Sequence, residues 1–149
     1  MDLSLWREYL HQLDQLSGIL EQLTEVEREK TAAVSRGDLA AVDACMKKEQ
    51  VFSLNLRGFD QKRGKLMAQL GITGTALRQL EELSPPEAIL ETKRTAERLR
   101  QQYQVFQSAS DVARNTLECN LRVIEVEQKR REAESQAAVP EVRQADFRA

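Results

Sequence analysis

The chain has 149 residues and a net charge of −2, and 31% of its residues are charged whereas only 5% are aromatic. This length fits one domain, and this composition favours long helices with narrow apolar seams over a globular core. Because positive and negative residues are interleaved, no strong field favours nucleic acid or an anionic membrane, and no stretch reaches the about 18 apolar residues of a membrane span. The N-terminus lacks the basic start and the apolar stretch of a secretory signal, so we expect a soluble cytoplasmic protein without membrane insertion.

The first two segments predict two long helices of equal length. Apolar residues recur at steps of three and four over residues 3–35 and again over 39–70, the pattern of helices packed along a seam. Between the segments, Gly37 favours a left-handed helix end and Asp38 offers a side-chain cap, while Gly71 closes the second segment. Each segment spans about 48 Å at 1.5 Å per residue, so we predict an antiparallel hairpin of matched arms.

A short connecting helix and a longer third helix are predicted after the hairpin. Residues 75–83 carry three leucines at helical spacing. The run Ser84-Pro85-Pro86-Glu87 then has the pattern of a capping box that opens a helix over about residues 85–132. Residues 133–149 lack an apolar stripe and are predicted to form a disordered tail. The predicted fold is therefore all-α, with an elongated hairpin and a longer third helix in one domain, residues 1–132.

The last long helix carries two apolar stripes. One steps by three and four residues from Ala96 to Ile124 and packs the helix into its own bundle. The other lies on a different side and recurs every seven residues, at Val105, Val112, Cys119 and Val126. Packed along the hairpin, this helix passes the end of the arms near residue 118, so apolar residues lie at or beyond that limit. They are Leu117, Leu121, Val123, Ile124 and Val126.

Exposed apolar surface of this kind favours aggregation, and several arrangements can remove it from water. The helix kinks, the domain pairs with a second copy, or another protein covers the cluster. A further interpretation places the last helix at the centre of the bundle, which accounts for Val105 and Val112 but poorly for the residues beyond the hairpin. We predict a partner-binding surface made of Val112, Leu117, Cys119, Leu121, Val123, Ile124 and Val126.

The sequence offers little for catalysis or metal binding. His11 is the only histidine, which removes most nucleophile–base pairs and His-ligated zinc sites. Carboxylates are interleaved with arginine and lysine as on a solvated helix face, and no glycine-rich phosphate loop is present. Cys45 and Cys119 lack metal-ligand spacing and are expected to be reduced thiols packed as small hydrophobes, and the basic cluster Lys129-Arg130-Arg131 lacks interleaved aromatic residues. We predict no enzymatic activity, cofactor, metal site or nucleic-acid partner.

The order of several residues along the chain matches a known family. They are Gly37-Asp38-Leu39 after the first helix, Lys48, Arg63, Leu66 and Leu70-Gly71 in the second, Leu77, Leu80 and Leu83 in the connection, and Asn115, Leu117, Asn120 and Leu121 in the last helix. In this order and spacing the chain resembles the flagellar FlgN family over about residues 5–126.

That resemblance implies a cytoplasmic chaperone without enzymatic activity. Such a chaperone binds the C-terminal helical segment of hook-associated (hook–filament junction) proteins, keeps them unpolymerised and delivers them to the flagellar type III export apparatus. The resemblance further implies that the contact uses the C-terminal part of the last helix, through Leu117, Leu121, Val123, Ile124 and Val126. The alternative is a structural coiled-coil protein, or an export-apparatus scaffold, that homodimerises through its last helix. The sequence leaves open whether the protein is a monomer or a homodimer and whether the last helix is straight.

Overall fold

The computed structural model describes residues 1–138 and has the predicted all-α fold. Its elements are α1 (Leu3–Arg36), α2 (Leu39–Leu70), a 3₁₀ turn (Leu77–Gln79), α3 (Leu80–Leu83), a second 3₁₀ turn (Pro86–Ala88) and α4 (Ile89–Ala138). The helices α1 and α2 form the predicted hairpin, and the long α4 packs along α1. The two 3₁₀ turns and α3 connect the hairpin to α4.

Side-chain caps and one glycine define the ends of α1. Asp2 accepts a 2.9 Å hydrogen bond from the N–H of Ser4 at the start of the helix. At its other end Gly37 adopts a left-handed conformation with a φ of 70°, which a residue with a Cβ reaches only with strain. Asp38 then accepts a 3.1 Å hydrogen bond from the N–H of Ala41 and caps α2. The tight turn predicted at Gly37 and Asp38 is confirmed.

The central helix of the bundle is α1. It packs against both α2 and α4, whereas α2 and α4 scarcely touch each other within residues 1–138. Trp6 Nε1 donates to Thr92 Oγ1, and these residues are 86 apart in the chain. Asn120 Nδ2 donates to the carbonyl oxygen of Val34, again 86 residues away, so α1 and α4 run parallel. The interpretation that places the last helix at the centre is wrong, because the broadest apolar face belongs to α1.

The most extensive core lies at the end of the bundle where α1 begins. Trp6 is fully buried there, and its Nε1 lies 2.9 Å from Thr92 Oγ1. The same threonine donates a 2.8 Å hydrogen bond to the carbonyl oxygen of Ala88, and Ser84 Oγ lies 2.8 Å from its hydroxyl. These bonds attach the connecting segment to the start of α1. The buried apolar residues at this end are Trp6, Tyr9, Leu10, Leu13, Leu66, Met67, Ile72, Leu80, Ala88 and Leu99.

The connection between α2 and α4 differs from its prediction. Residues 75–83, expected to form one short helix, form a 3₁₀ turn followed by the single-turn α3. The predicted capping box is absent, because Pro86 opens a 3₁₀ turn without a side-chain cap and α4 begins only at Ile89. The hydroxyl of Ser84 packs against Thr92 instead of capping backbone N–H groups. A tertiary contact therefore replaces the local cap.

The last helix is longer than its apolar pattern predicts. It continues to Ala138, so residues 133–138 are helical where the pattern predicts a disordered tail over 133–149, and residues 139–149 lie outside the described part. The sequence here is rich in Glu, Gln, Ala and Arg, which are strong helix formers. Glu127 also pairs with Arg130 at 2.7 Å and with Arg131 at 3.4 Å, about one turn along the helix. Helix propensity thus extends α4 beyond the point where the other helices of residues 1–138 pack against it.

Candidate partner-binding surface

The C-terminal part of α4 projects beyond the hairpin. Asn120 Nδ2 donates a 2.9 Å hydrogen bond to the carbonyl oxygen of Val34, close to the end of α1. Because α1 and α4 are in parallel register, α4 passes the end of α1 near residue 122 and continues to Ala138. This overhang is about 24 Å long at 1.5 Å per residue. Helix lengths alone predict that α4 passes the end of the hairpin near residue 118, about one turn earlier than in the structure.

Six of the seven predicted contact residues are exposed to solvent. Val123 and Val126 are each 66% exposed, and Leu121 and Ile124 are each 52% exposed. Leu117 is half-buried beside the end of the hairpin. Contiguous exposed apolar side chains of this kind are typical of surfaces that bind another macromolecule. The six exposed residues are Val112, Cys119, Leu121, Val123, Ile124 and Val126.

A concave apolar surface forms where α4 leaves the hairpin. We call it the distal notch; it encloses about 430 Å³ between the turn of the hairpin and one face of α4. The hairpin contributes Ala33, Val34, Ser35, Arg36, Gly37, Leu39 and Val42. The last helix contributes Leu117, Asn120, Leu121, Val123 and Ile124.

Leu39 and Val42 are among the residues of the distal notch that do not belong to the surface predicted from sequence. Both fit the apolar seam of α2 and therefore look like residues of the hairpin core. In the structure Leu39 is the first residue of α2 and is 80% exposed, at the rim of the distal notch. Its position directly after the capping residue Asp38 is the signal that identifies it as an end residue of the hairpin.

The predicted residues divide between two faces of α4. Those that line the distal notch are Leu117, Leu121, Val123 and Ile124. The others belong to the stripe with seven-residue spacing: Val112, Cys119 and Val126. Val112 lies with Val105 in a shallow depression beside Arg28 of α1, and both valines are more than two-fifths exposed. The single predicted surface is therefore a notch and a separate exposed stripe.

The two cysteines lie in different environments. Cys45 is buried between α1 and α2, where burial raises the pKa of its thiol. Cys119 is exposed on the stripe of α4. The prediction of a packed thiol is confirmed for Cys45 and wrong for Cys119, because no other helix within residues 1–138 covers that side of α4.

The chemical groups near these surfaces favour binding over catalysis. Arg36 and Asp38, beside the distal notch, form a surface ion pair at 3.8 Å. His11 lies toward the opposite end of α1, exposed and 3.3 Å from the amide of Gln15. Among residues 1–138, no three His, Cys, Asp or Glu side chains converge as a metal site requires. None of the helices in that range combines the length and the apolar character needed to cross a membrane.

Comparison with models of protein families matches residues 1–137 to the family described as FlgN protein. The match includes the hairpin, the connection and all of α4 except its last residue, and so it includes both candidate surfaces. Comparisons with curated proteins and with solved structures find no match.

Proposed function

This chain belongs to the FlgN family, and we propose that it uses the distal notch and the overhang of α4 to hold the C-terminal helical segment of a hook-associated protein. Membership of the family implies a flagellar export chaperone for hook-associated proteins. The chaperones of this family are cytoplasmic and have no enzymatic activity. The proposal therefore concerns where and how the client binds.

The observation that carries the proposal is the exposed apolar surface at the distal notch. Leu121, Val123 and Ile124 are more than half exposed there and face Leu39 across a concave surface. Fully burying one such side chain contributes about 1.5–3 kcal/mol, so a bound segment that covers several of them gains substantial affinity. An amphipathic client helix with apolar residues three and four apart fits this surface in the helix-in-groove mode.

Covering the client segment explains how a small binding protein prevents polymerisation. A segment that folds only on contact with a partner exposes apolar residues while it is free, and these drive premature self-association. While the segment lies in the distal notch, those residues are withdrawn from other copies of the client. The client then reaches the export apparatus unpolymerised.

The stripe formed by Val105, Val112, Cys119 and Val126 favours a second candidate function. Its seven-residue spacing suits parallel pairing with the same stripe of another copy. In that case the protein is a structural coiled-coil protein or a scaffold of the export apparatus, and α4 is its dimer interface. The two candidates use different faces of α4 and are therefore separable by mutation.

The decisive experiment replaces Leu121 and Ile124 with Asp in one variant. We expect at least a 100-fold loss of affinity for a C-terminal peptide of a hook–filament junction protein, measured by calorimetry, with unchanged helicity by circular dichroism. The matched control is Leu54→Asp, because Leu54 is 66% exposed on the outer side of α2, away from the distal notch. Equal peptide affinity in the double variant and the wild type contradicts the proposal.

Sedimentation equilibrium distinguishes the second candidate, the coiled-coil protein, from the chaperone. A monomer at micromolar concentration that binds the peptide one to one supports the chaperone with its site in the distal notch. A tight dimer that Val112→Asp and Val126→Asp dissociate supports the coiled-coil protein instead.

A further inference from the structure

A second and larger concave surface lies in the same cleft between α2 and α4, nearer the start of α1. Because α2 and α4 scarcely touch each other, the apolar face of α1 between them is the floor of an open groove of about 660 Å³. We call it the bundle groove. Its walls are partly exposed, and Tyr103 on α4 is 56% exposed. The apolar residues of floor and walls include Leu13, Leu16, Leu20, Leu23, Leu56 and Phe106, and the connecting segment adds Ala76 and Leu77.

The bundle groove is long enough for one α-helix to lie along its rim. Along α1 it extends from Tyr9 to Glu27, which is about five turns, or about 27 Å. Helices of a bundle lie about 8–10 Å apart and bury a common apolar core. In this molecule α2, α1 and α4 occupy three positions of such a bundle, and the bundle groove is the fourth.

Charged residues at the two ends of the bundle groove have opposite signs. At the end near the hairpin turn, Glu27 and Glu49 lie with a single lysine, Lys30, which is 3.1 Å from Glu49 and 4.0 Å from Glu27. Between the two ends Asp60 lies 4.0 Å from Arg63.

Arginines occupy the opposite end. Burial raises the pKa of the Tyr9 phenol, and the positive charge of Arg63 on α2 opposes this increase. Arg63 therefore lies near Tyr9. By the 86-residue register of α1 and α4, Arg100 lies at the level of residue 14 of α1, so the two arginines line the same end. Arg100 makes no ion pair with any residue of the described range 1–138.

We propose that the bundle groove is a second docking site, which binds one amphipathic helix of another protein antiparallel to α1, with a negatively charged last turn against Arg63 and Arg100. The helix dipole supports this direction, since the positive N-terminal end then lies beside the carboxyl group of Glu49. Side-chain or terminal carboxylates in the last turn pair with the two arginines.

The protein's own overhang does not match this site. Its large apolar residues run only from Leu121 to Val126, which is about 8 Å of helix against about 27 Å of groove. The next turns carry Lys129, Arg130 and Arg131, which repel Arg63 and Arg100 in the orientation that the dipole favours. A foreign helix with apolar residues along about five turns fits better than a second copy of this chain.

A pair of synthetic peptides tests the proposal. Each has about 18 residues, with leucines at steps of three and four. One peptide has lysines in its first turn and glutamates in its last, and the other has these charges exchanged. We expect the peptide that ends in glutamates to bind the full chain at least 10-fold more tightly, measured by fluorescence anisotropy. Equal affinity for the two peptides, or no binding of either, overturns the proposal.

Charge reversal in the protein gives the matching test. The double variant Arg63→Glu and Arg100→Glu is expected to exchange the preference, so that the peptide ending in lysines binds at least 10-fold more tightly. Arg57→Glu is the control, because Arg57 lies on α2 outside the bundle groove. An unchanged preference in the double variant contradicts the proposal.

Variants of the distal notch separate this proposal from the proposed function. The Leu121→Asp and Ile124→Asp variant is expected to bind the glutamate-ended peptide as the wild type does. Loss of that binding shows that the peptide occupies the distal notch and overturns the second site. Leu16→Arg, which places a bulky charge in the bundle groove, is expected to abolish binding of this peptide. If instead Leu16→Arg converts a wild-type dimer into a monomer, the occupant is a second copy and the proposal is wrong.

Discussion

The two ends of α4 have the same apolar pattern and opposite environments. Near its start Ala96 and Leu99 are 0% and 6% exposed, whereas Ile124 on the same seam is 52% exposed. The first two residues lie against α1, and the third lies at the point where α1 has ended. A repeat of three and four residues therefore specifies which face of a helix is apolar, while the neighbouring helices decide whether that face is buried.

This difference separates the folding core from the proposed binding surface along one helix. At the start of α1, Trp6, Thr92 and the connecting segment form a packed and hydrogen-bonded core. At the far end, the distal notch and the overhang contribute few internal contacts, so their residues are free to contact a partner. Substitutions around Trp6 and substitutions at the distal notch should therefore differ in their effect on the free energy of unfolding.

The largest expected effect is that of Trp6→Ala. Removing a fully buried tryptophan from the core should lower the free energy of unfolding by about 3–5 kcal/mol, measured by urea denaturation. Ile124→Ala, at an exposed position of the other end, should change it by less than about 0.5 kcal/mol. Similar losses in the two variants would show that the distal notch belongs to the folding core.

Next in size is the pH dependence that Glu27 causes. Burial, together with a hydrogen bond and repulsion from Glu49, raises the pKa of Glu27 from 4.5 to about 7, against attraction by Lys30. The folded chain therefore binds more protons than the unfolded chain between these pH values, so stability falls as the pH rises from 4.5 to about 7.

The variant Glu27→Gln should remove this slope. At pH 8 it should be more stable than the wild type by no more than about 3 kcal/mol, and near pH 4.5 the two should be equal. Denaturant titrations across this pH range measure the effect, and Glu25→Gln at an exposed position is the control. Parallel profiles for Glu27→Gln and the wild type would show that Glu27 ionises normally in the folded protein.

A smaller loss in the free energy of unfolding is expected for Thr92→Val, which keeps the shape of the side chain and removes its hydroxyl. The change leaves the buried Nε1 of Trp6 without its acceptor and removes the contact of Thr92 with the Ser84 hydroxyl, at a cost of about 2 kcal/mol. Thermal unfolding measures the loss. Thr116→Val is the comparison, because the exposed-side hydroxyl of Thr116 bonds only to the carbonyl oxygen of Val112 within its own helix.

The smallest predicted effect concerns Asn120→Ala. It removes the 2.9 Å hydrogen bond to the carbonyl oxygen of Val34 and should cost about 1 kcal/mol. Hydrogen exchange should become faster in α4 beyond Ala113 while the amides around Trp6 keep their protection. Faster exchange at both ends would show that the two regions open together.

Most of the fold follows from local sequence. Gly37 and Asp38 place the hairpin turn, and the spacing of leucines places the long helices, because caps and helical periodicity act within a few residues. The predictions that fail depend on distant residues. Ser84 does not cap α4 because its hydroxyl contacts that of Thr92, and Cys119 is not packed because no other helix of the described part of the chain covers it.

The candidate site was predictable only in part. Helix lengths place the cluster around Leu121 near the end of the hairpin, because each residue adds the same rise. They cannot show that Leu39 joins the cluster, or that Val112 faces another way, since both depend on how α4 is rotated and placed against α1.

The sequence by itself determined the number of long helices, the lengths of the two in the hairpin, the excess of apolar residues on the last one and the resemblance to the FlgN family. Only the tertiary structure decided that α1 is the central helix, and that α2 and α4 stay apart and leave the bundle groove open between them. The reason is physical: periodicity gives each helix an apolar face, whereas the choice of which faces meet depends on packing among all three helices at once.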